Sequence, residues 1–453
     1  MTWSHEHAAA LASVFDALNQ SNIPWLVLRN YEGLPEDNHS KDIDLGIADK
    51  DSARAAQIIA NAMALHGFDR AFTVQYLSAR CITFFSLMGE EVASIKIDLV
   101  DGIPSRGAHL FDLTELYAFR VPYRNFFVPN SVDDGVMLWV KPLMMGTGVK
   151  SGYIEAIRRV SASHPGQFRE WICRVFGHSL GDEVWPLIQQ GRLLETVPYK
   201  QRLSRAAWLQ TARHDLGKTL TASVEHVYLE LARRIRRNPA TLLAVVGPDG
   251  VGKTTFINLL QKDLARILVK DQDAIQVKHF RPNILPNIKQ LISGKKYDAS
   301  KEEFSKPHRS VQASPPSSLV RLVYYWADYL LGYWLMVRRK CIGGSVIVFD
   351  RYFYDFIVDP RRSRINLPAW VRKLFLRLTP QPDLVFFLDC DADTVYARKQ
   401  ELPRDEIERQ LREYRNLVAA YPSRFVQLDA RQAPEISCHQ ALRELVVRSF
   451  DRI

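Results

Sequence analysis

Apolar positions follow three different rhythms along the chain. Through residue 130, short apolar runs alternate with polar positions. Residues 25–28 and 43–47 read as strands, 53–65 as an alanine-rich helix, and 83–87 with 92–100 as two strands divided by a turn at Gly89. Between residues 131 and 238 the spacing is helical, with few β-branched runs. It stops at Arg233-Arg234-Ile235-Arg236-Arg237, before Asn238-Pro239. Those arginines suit either a helix C-terminus, whose dipole favours positive charge, or a phosphate-binding patch.

From residue 239 onward the apolar runs become continuous, at 242–246, 346–349 and 384–388, with helical patterns between them. Strands apolar on both faces and separated by helices predict a parallel sheet covered on both sides. A polar stretch rich in Ser, Lys and Pro, residues 293–318, predicts an insertion or lid ordered by ligand. The expected fold class is α/β, in three parts. These are an α+β domain over 1–130, a helical linking segment over 131–238, and a parallel-sheet domain over 239–453. The length agrees, since about 150 residues per domain gives roughly three domains.

Composition narrows the class. Hydrophobic residues at 47% and charged residues at 24% exclude wholesale disorder, a collagen-like rod and a minimal disulfide scaffold. Sixty Lys and Arg against 50 Asp and Glu leave a net charge of +10, which favours anionic partners or a basic, solvated surface. The five cysteines, Cys81, Cys173, Cys341, Cys390 and Cys438, are scattered and form no Cys-x-x-Cys pair. They suit a reducing compartment and argue against a zinc site. Residues 1–7 lack a basic stretch followed by an apolar core, and the longest apolar segment, 319–337, is broken by Arg321 and Asp328. The expectation is a cytoplasmic protein without a transmembrane segment, for which peripheral membrane contact stays open.

The strongest chemical signal is Gly247-Pro248-Asp249-Gly250-Val251-Gly252-Lys253-Thr254-Thr255. It fills the pattern Gly-x-x-x-x-Gly-Lys-[Ser/Thr] between an apolar strand and a helix. Glycines let backbone amides turn inward around phosphate oxygens, and the helix N-terminus adds its dipole. Lys253 is expected to bridge the β- and γ-phosphates of ATP, and Thr254 to hold Mg²⁺. Further on, the strand at 346–349 delivers Asp350-Arg351-Tyr352 at its C-terminal end, the edge where open α/β sheets bind ligands. Asp350 suits the Mg²⁺ shell or a proton-accepting role, and Arg351 an anion clamp. After the strand at 384–388, Arg398-Lys399 and Arg404 suit either a cationic lid or a solvated helix face, because Glu401, Asp405, Glu406 and Glu408 are interspersed.

These residues, with Pro382-Asp383-Leu384 through Leu388-Asp389, resemble the thymidylate kinase branch of the nucleoside monophosphate kinases. The resemblance covers residues 241–453. It implies that Gly247, Asp249, Gly250, Gly252, Lys253, Thr254 and Thr255 bind ATP, with Arg404 contributing from the lid. It implies that Arg351 and Tyr352 meet the acceptor, that Arg398 belongs to the lid, and that Arg281 in Phe280-Arg281-Pro282 lies near the acceptor. The chain departs from the short housekeeping enzymes in its 293–318 insertion and in the segment after Tyr352. In those respects it looks like the divergent thymidylate-kinase-like proteins often associated with bacterial surface-polysaccharide genes. The aromatics Tyr324, Tyr325, Trp326, Tyr329, Tyr333 and Trp334 suit either a helix packed on the sheet or a stacking surface for a base or sugar.

A second constellation lies near the start. Asp42-Ile43-Asp44 puts two carboxylates on one face of a strand, and Asp98 in Ile97-Asp98-Leu99 offers a third on a neighbouring strand. Three converging carboxylates suit two Mg²⁺ ions. The pattern over residues 25–101 resembles the nucleotidyltransferase superfamily, although residues 28–35 stand where that family has a Gly-Ser turn. The alternative is a framework whose acids face solvent.

The sequence therefore predicts an ATP- and Mg²⁺-dependent kinase that acts on a nucleotide, sugar or glycan-type acceptor rather than on nucleic acid. Alternatives are nucleotidyl transfer through Asp42, Asp44 and Asp98, a true thymidylate kinase, and an ATP-gated scaffold without chemistry. The acceptor's identity and the oligomeric state stay open.

Overall fold

The computed structural model describes residues 3–76, 79–102, 104–105, 108–144, 148–235, 240–286, 314–342 and 344–453. The chain forms two compact units. One comprises Met1–Met88, Ala93–Ala232 and Asp451–Ile453, the other Gly89–Val92 and Arg233–Phe450.

In the first unit β1 (Leu26–Val27), β2 (Ile43–Gly46), β3 (Arg70–Gln75), β4 (Ala79–Ser86) and β5 (Ala93–Val100) form a sheet in the order β1-β2-β5-β4-β3. The pair β2–β5 is parallel, with Asp44 opposite Asp98; the other pairs are antiparallel. Strand alternation sorts the side chains. Ile43, Leu45, Ile97 and Leu99 join a core with Leu11 and Phe15 of the helix His5–Gln20 and Ile59 of the helix Asp49–Ala64. The intervening Asp42, Asp44, Lys96 and Asp98 fall on the opposite face. Two short ladders follow, β6 (Pro104–Ser105) with β7 (Ala108–His109) and β8 (Val121–Tyr123) with β9 (Phe126–Val128).

A division expected at residue 130 does not fall between the units. The helices Ser131–Met144 and Pro165–Phe176 share one core with residues before 130: Trp139 and Phe168 pack in the cluster that holds Leu110 and Phe111, and Phe111 stacks on Trp171 at 4.7 Å. The helical stretch lacks an independent core because its apolar face is completed by the preceding segment.

In the second unit β10 (Leu242–Val246), β11 (Ile275–His279), β12 (Val346–Asp350), β13 (Leu384–Asp389) and β14 (Phe425–Asp429) form a fully parallel sheet, ordered β11-β12-β10-β13-β14. Every residue of β10 is buried, as a strand covered on both faces requires. The apolar pattern does not mark β11 or β14. β11 is a half-exposed edge strand, Ile-Gln-Val-Lys-His, and β14 is interrupted by Gln427, so neither presents a continuous apolar run. Helices connect the strands, among them Lys253–Ile267 after β10 and Pro315–Gly332 before β12. Residues 293–313 of the expected lid lie outside the described residues. The short β15 (Asp451–Arg452) pairs with β3 at the edge of the first sheet. Among the described residues no helix is long and apolar enough to cross a membrane.

Trp139 is fully buried, and its indole Nε1 donates to Thr196 Oγ1 at 3.1 Å. Trp139→Ala is expected to lower the stability of the first unit by about 3–5 kcal/mol. Thr196→Val, which keeps the volume but strands the indole N–H, should cost about 1–3 kcal/mol. Urea unfolding followed by circular dichroism reads both.

Candidate functional site

Parallel pairing sets Asp350 beside Val245, so the turns after β10 and β12 emerge side by side at the C-terminal edge. There they enclose a cleft of about 380 Å³. Asp249, Gly250, Gly252, Lys253, Thr254 and Thr255 supply one wall; Asp350, Arg351, His279, Arg362, Lys399 and Glu401 supply the rest. Most of the residues expected to bind nucleotide are thus brought together.

The loop's shape depends on glycine where the backbone is left-handed. Gly250 has φ +89, and a Cβ there would come within 2.8 Å of Lys399 Cβ and 3.3 Å of the Val395 carbonyl oxygen. Gly252, φ +107, then leads into the helix Lys253–Ile267. Lys253 is buried, and its ammonium donates to the carbonyls of Gly247 and Pro248, each at 2.8 Å. Burial and then the nearby Arg351 guanidinium pull its pKa down to about 8, against the opposing pull of Asp249, Asp350 and Asp355.

Arg351 sits at φ +74, unusual for a residue with a side chain, and is almost fully buried. Its Nη1 donates to Asp355 at 2.5 Å and its Nη2 to Asp249, which also accepts from Arg362. Burial works against the charge on Asp249. Arg351, Lys253 and Arg362 more than offset it and hold the carboxyl well below the usual carboxylate range. Asp350 accepts at Oδ2 from His279 Nδ1, 3.0 Å away, while its Oδ1 is buried without a hydrogen-bond partner. Its pKa lies below the ordinary value: burial opposes ionisation, but the His279 hydrogen bond and the charges of Lys253 and Arg351 outweigh it.

Other expected residues stand apart from the described lining. Arg281 is buried in an ion pair with Asp328 at 3.1 Å and lies over the Tyr325 ring. Asp328 also accepts from the backbone amides of Asn283 and Leu285, fastening this loop to the helix Pro315–Gly332. Tyr352 is buried, with its hydroxyl on the Pro380 carbonyl. Arg398 donates to the carbonyls of Val251 and Ala430, at 3.3 and 3.1 Å, and the exposed Arg404 pairs with Asp393. Of the aromatics, Tyr329 is core and Tyr325 stacks on Phe356, whereas Trp334 is largely exposed.

Sequence reading missed His279, Asp355 and Arg362. The first ends an edge strand that pattern analysis overlooks. Asp355 lies four residues after Arg351, a helical spacing that could have flagged the pair. Nothing local marks Arg362, whose partner is 113 residues away.

In the first unit Asp42, Asp44 and Asp98 also converge, with one oxygen of each within 4.8 Å of the others. Three cations interleave them. Lys96 Nζ lies 3.2 Å from Asp42 and 3.0 Å from Asp98; Lys141 Nζ lies 2.8 Å from Asp44, and Arg29 also pairs with Asp44. As arranged, these carboxylates do not fit a pair of Mg²⁺ ions, because ammonium and guanidinium groups engage both oxygens of Asp44 and one oxygen each of Asp42 and Asp98.

Two outcomes follow for the cleft. Binding of an ATP analogue, measured by calorimetry, is expected to weaken as pH rises past about 8, where Lys253 loses its proton. Arg351→Met should destabilise the second unit by about 3–5 kcal/mol in chemical denaturation, since it leaves Asp355 buried and stripped of its guanidinium.

No family model matches the chain. Over 135 residues it is 27% identical to probable thymidylate kinases from two strains of Halobacterium salinarum, a match that covers 28% of this chain and 68% of each relative. A solved thymidylate kinase from Ehrlichia chaffeensis aligns with 45% of this chain and 97% of its own, at 15% identity and a TM-score of 0.31. The sequence similarity supports, at the general level, a thymidylate-kinase-like nucleotide phosphotransferase.

Proposed function

We propose that the second unit transfers the γ-phosphoryl group of ATP to a small acceptor seated beside Asp350 and Arg351. The observation that carries this reading is the convergence of the glycine loop, Lys253, Thr254, Asp350 and Arg351 on one cleft at the C-terminal edge of a parallel sheet. The loop amides and Lys253 grip the phosphate tail; for this Lys253 exchanges its carbonyl partners for phosphate oxygens. The site fits Mg²⁺. Thr254 and Asp350, whose buried Oδ1 has no hydrogen-bond partner, are the residues that would hold it. The bound ion would supply neutralisation of charge on the β- and γ-phosphate oxygens.

On this reading Arg351, which lines the cleft, meets the acceptor, while Arg281 and Tyr352 lie outside the described lining. Lys399, with Arg398 next to it, supplies positive charge where the phosphoryl group develops negative charge. An acceptor phosphate needs no base. For a hydroxyl acceptor, the Asp350–His279 pair is placed to take the proton. Acceptors on this reading are a nucleotide, thymidylate included, or a sugar or glycan-type molecule. The resemblance of the segment after Tyr352 favours cytoplasmic surface-polysaccharide biosynthesis as the setting.

The test incubates the full chain with γ-labelled ATP, Mg²⁺ and a panel of thymidylate, other nucleoside monophosphates, sugars and glycans. Wild type is expected to label one class, and Lys253→Ala to lower that rate by roughly 10²-fold or more. Equal labelling by wild type and Lys253→Ala would overturn the assignment.

A further inference from the structure

We propose that the acidic centre of the first unit carries its own cation. The Lys96 ammonium stands between Asp42 and Asp98, where a divalent ion would bridge them, and the centre takes up neither Mg²⁺ nor Mn²⁺.

Lys96 and Asp98 are two residues apart on β5 and share a face, and the parallel register sets Asp98 beside Asp44 on β2. The side chain of Lys96 therefore lies along the same surface as the carboxylates, and its Nζ reaches one oxygen of Asp42 and one of Asp98 at ordinary ion-pair distances. A Mg²⁺ bridging the same two carboxylates needs oxygens at about 2.0–2.1 Å. It would have to lie within the volume that the ammonium fills.

Asp44 closes the remaining route. It is buried, Oδ1 accepts from Lys141 of the helix Ser131–Met144, and Oδ2 accepts from Arg29, which also approaches Asp42 at 3.9 Å. Three carboxylates are thus matched by three fixed cations. An ion with two further charges would enter a poorly screened pocket already neutral, and could do so only by expelling an amine.

Lys96 is the member that can be removed. Its side chain is partly exposed, whereas the Asp44 carboxylate is enclosed. Asp98 Oδ1 is buried and without a hydrogen-bond partner, so a vacated centre keeps an oxygen aimed at no other group. Deleting the amine should convert the centre into a divalent site, with Asp42 and Asp98 as its first ligands. On this reading the first unit does not carry out metal-dependent nucleotidyl transfer; its charged centre ties the helix Ser131–Met144 to the sheet.

The experiment titrates Mn²⁺ into the full chain without nucleotide, follows the free-ion signal by electron paramagnetic resonance, and records the melting temperature in parallel. Wild type and Asp42→Asn are expected to behave alike. Lys96→Met is expected to gain one Mn²⁺ per chain, to lose it again in the Lys96→Met, Asp42→Asn double variant, and to melt higher with Mn²⁺ than without. Mn²⁺ uptake by wild type that Asp42→Asn abolishes would overturn the proposal, and that comparison stands even where Lys96→Met folds poorly. A folded Lys96→Met protein that gains no Mn²⁺ overturns it equally.

Discussion

A single buried guanidinium organises the C-terminal edge of the parallel sheet in the second unit. Arg351 follows β12 directly and reaches in two directions, to Asp249 in the glycine loop and to Asp355 in the turn of helix that follows. Asp355 is in turn fixed by the Tyr414 hydroxyl at 2.8 Å, which brings the helix Arg404–Ala420 into the network. A buried ion pair of this kind contributes little net stability, because desolvation offsets most of its attraction. Its effect is geometric: the loop after β10 and the turn after β12 are held at one separation. The left-handed backbone at Arg351 is tolerated because two carboxylates and the buried surroundings determine it.

That constraint also sets the electrostatics of Lys253. Burial, and after it the neighbouring Arg351 guanidinium, hold its proton less tightly than in water, while Asp249, Asp350 and Asp355 pull the other way. Its ammonium donates to the loop's own carbonyls.

The two charged centres of the chain follow opposite plans. At the edge of the parallel sheet, acids and bases line an open cleft in which one oxygen of Asp350 is without a hydrogen-bond partner. On the face of the first sheet, Asp42, Asp44 and Asp98 are interleaved with Arg29, Lys96 and Lys141, and the charges satisfy one another. Both use closely spaced carboxylates. They differ in whether the matching cations stand beside the opening or inside the cluster.

The sequence by itself determined what is local. Continuous apolar runs marked β10, β12 and β13, glycine spacing marked the loop after β10, and alternation placed Asp42 and Asp44 on one face, because each depends on residues a few positions apart. Edge strands such as β11 escaped, since a half-exposed strand has no continuous apolar run. Tertiary structure alone decided the rest: that Trp139, Phe168 and Leu203 complete the first unit's core, that Arg281 is paired with Asp328, that Arg362 and His279 line the cleft, and that Lys96 and Lys141 fill the acidic centre. Charge pairing acts through space over a few ångströms, and its partners here lie up to 113 residues apart along the chain. Chain spacing therefore carries the pattern of each centre, and only the packed fold decides which opposite charge reaches it first.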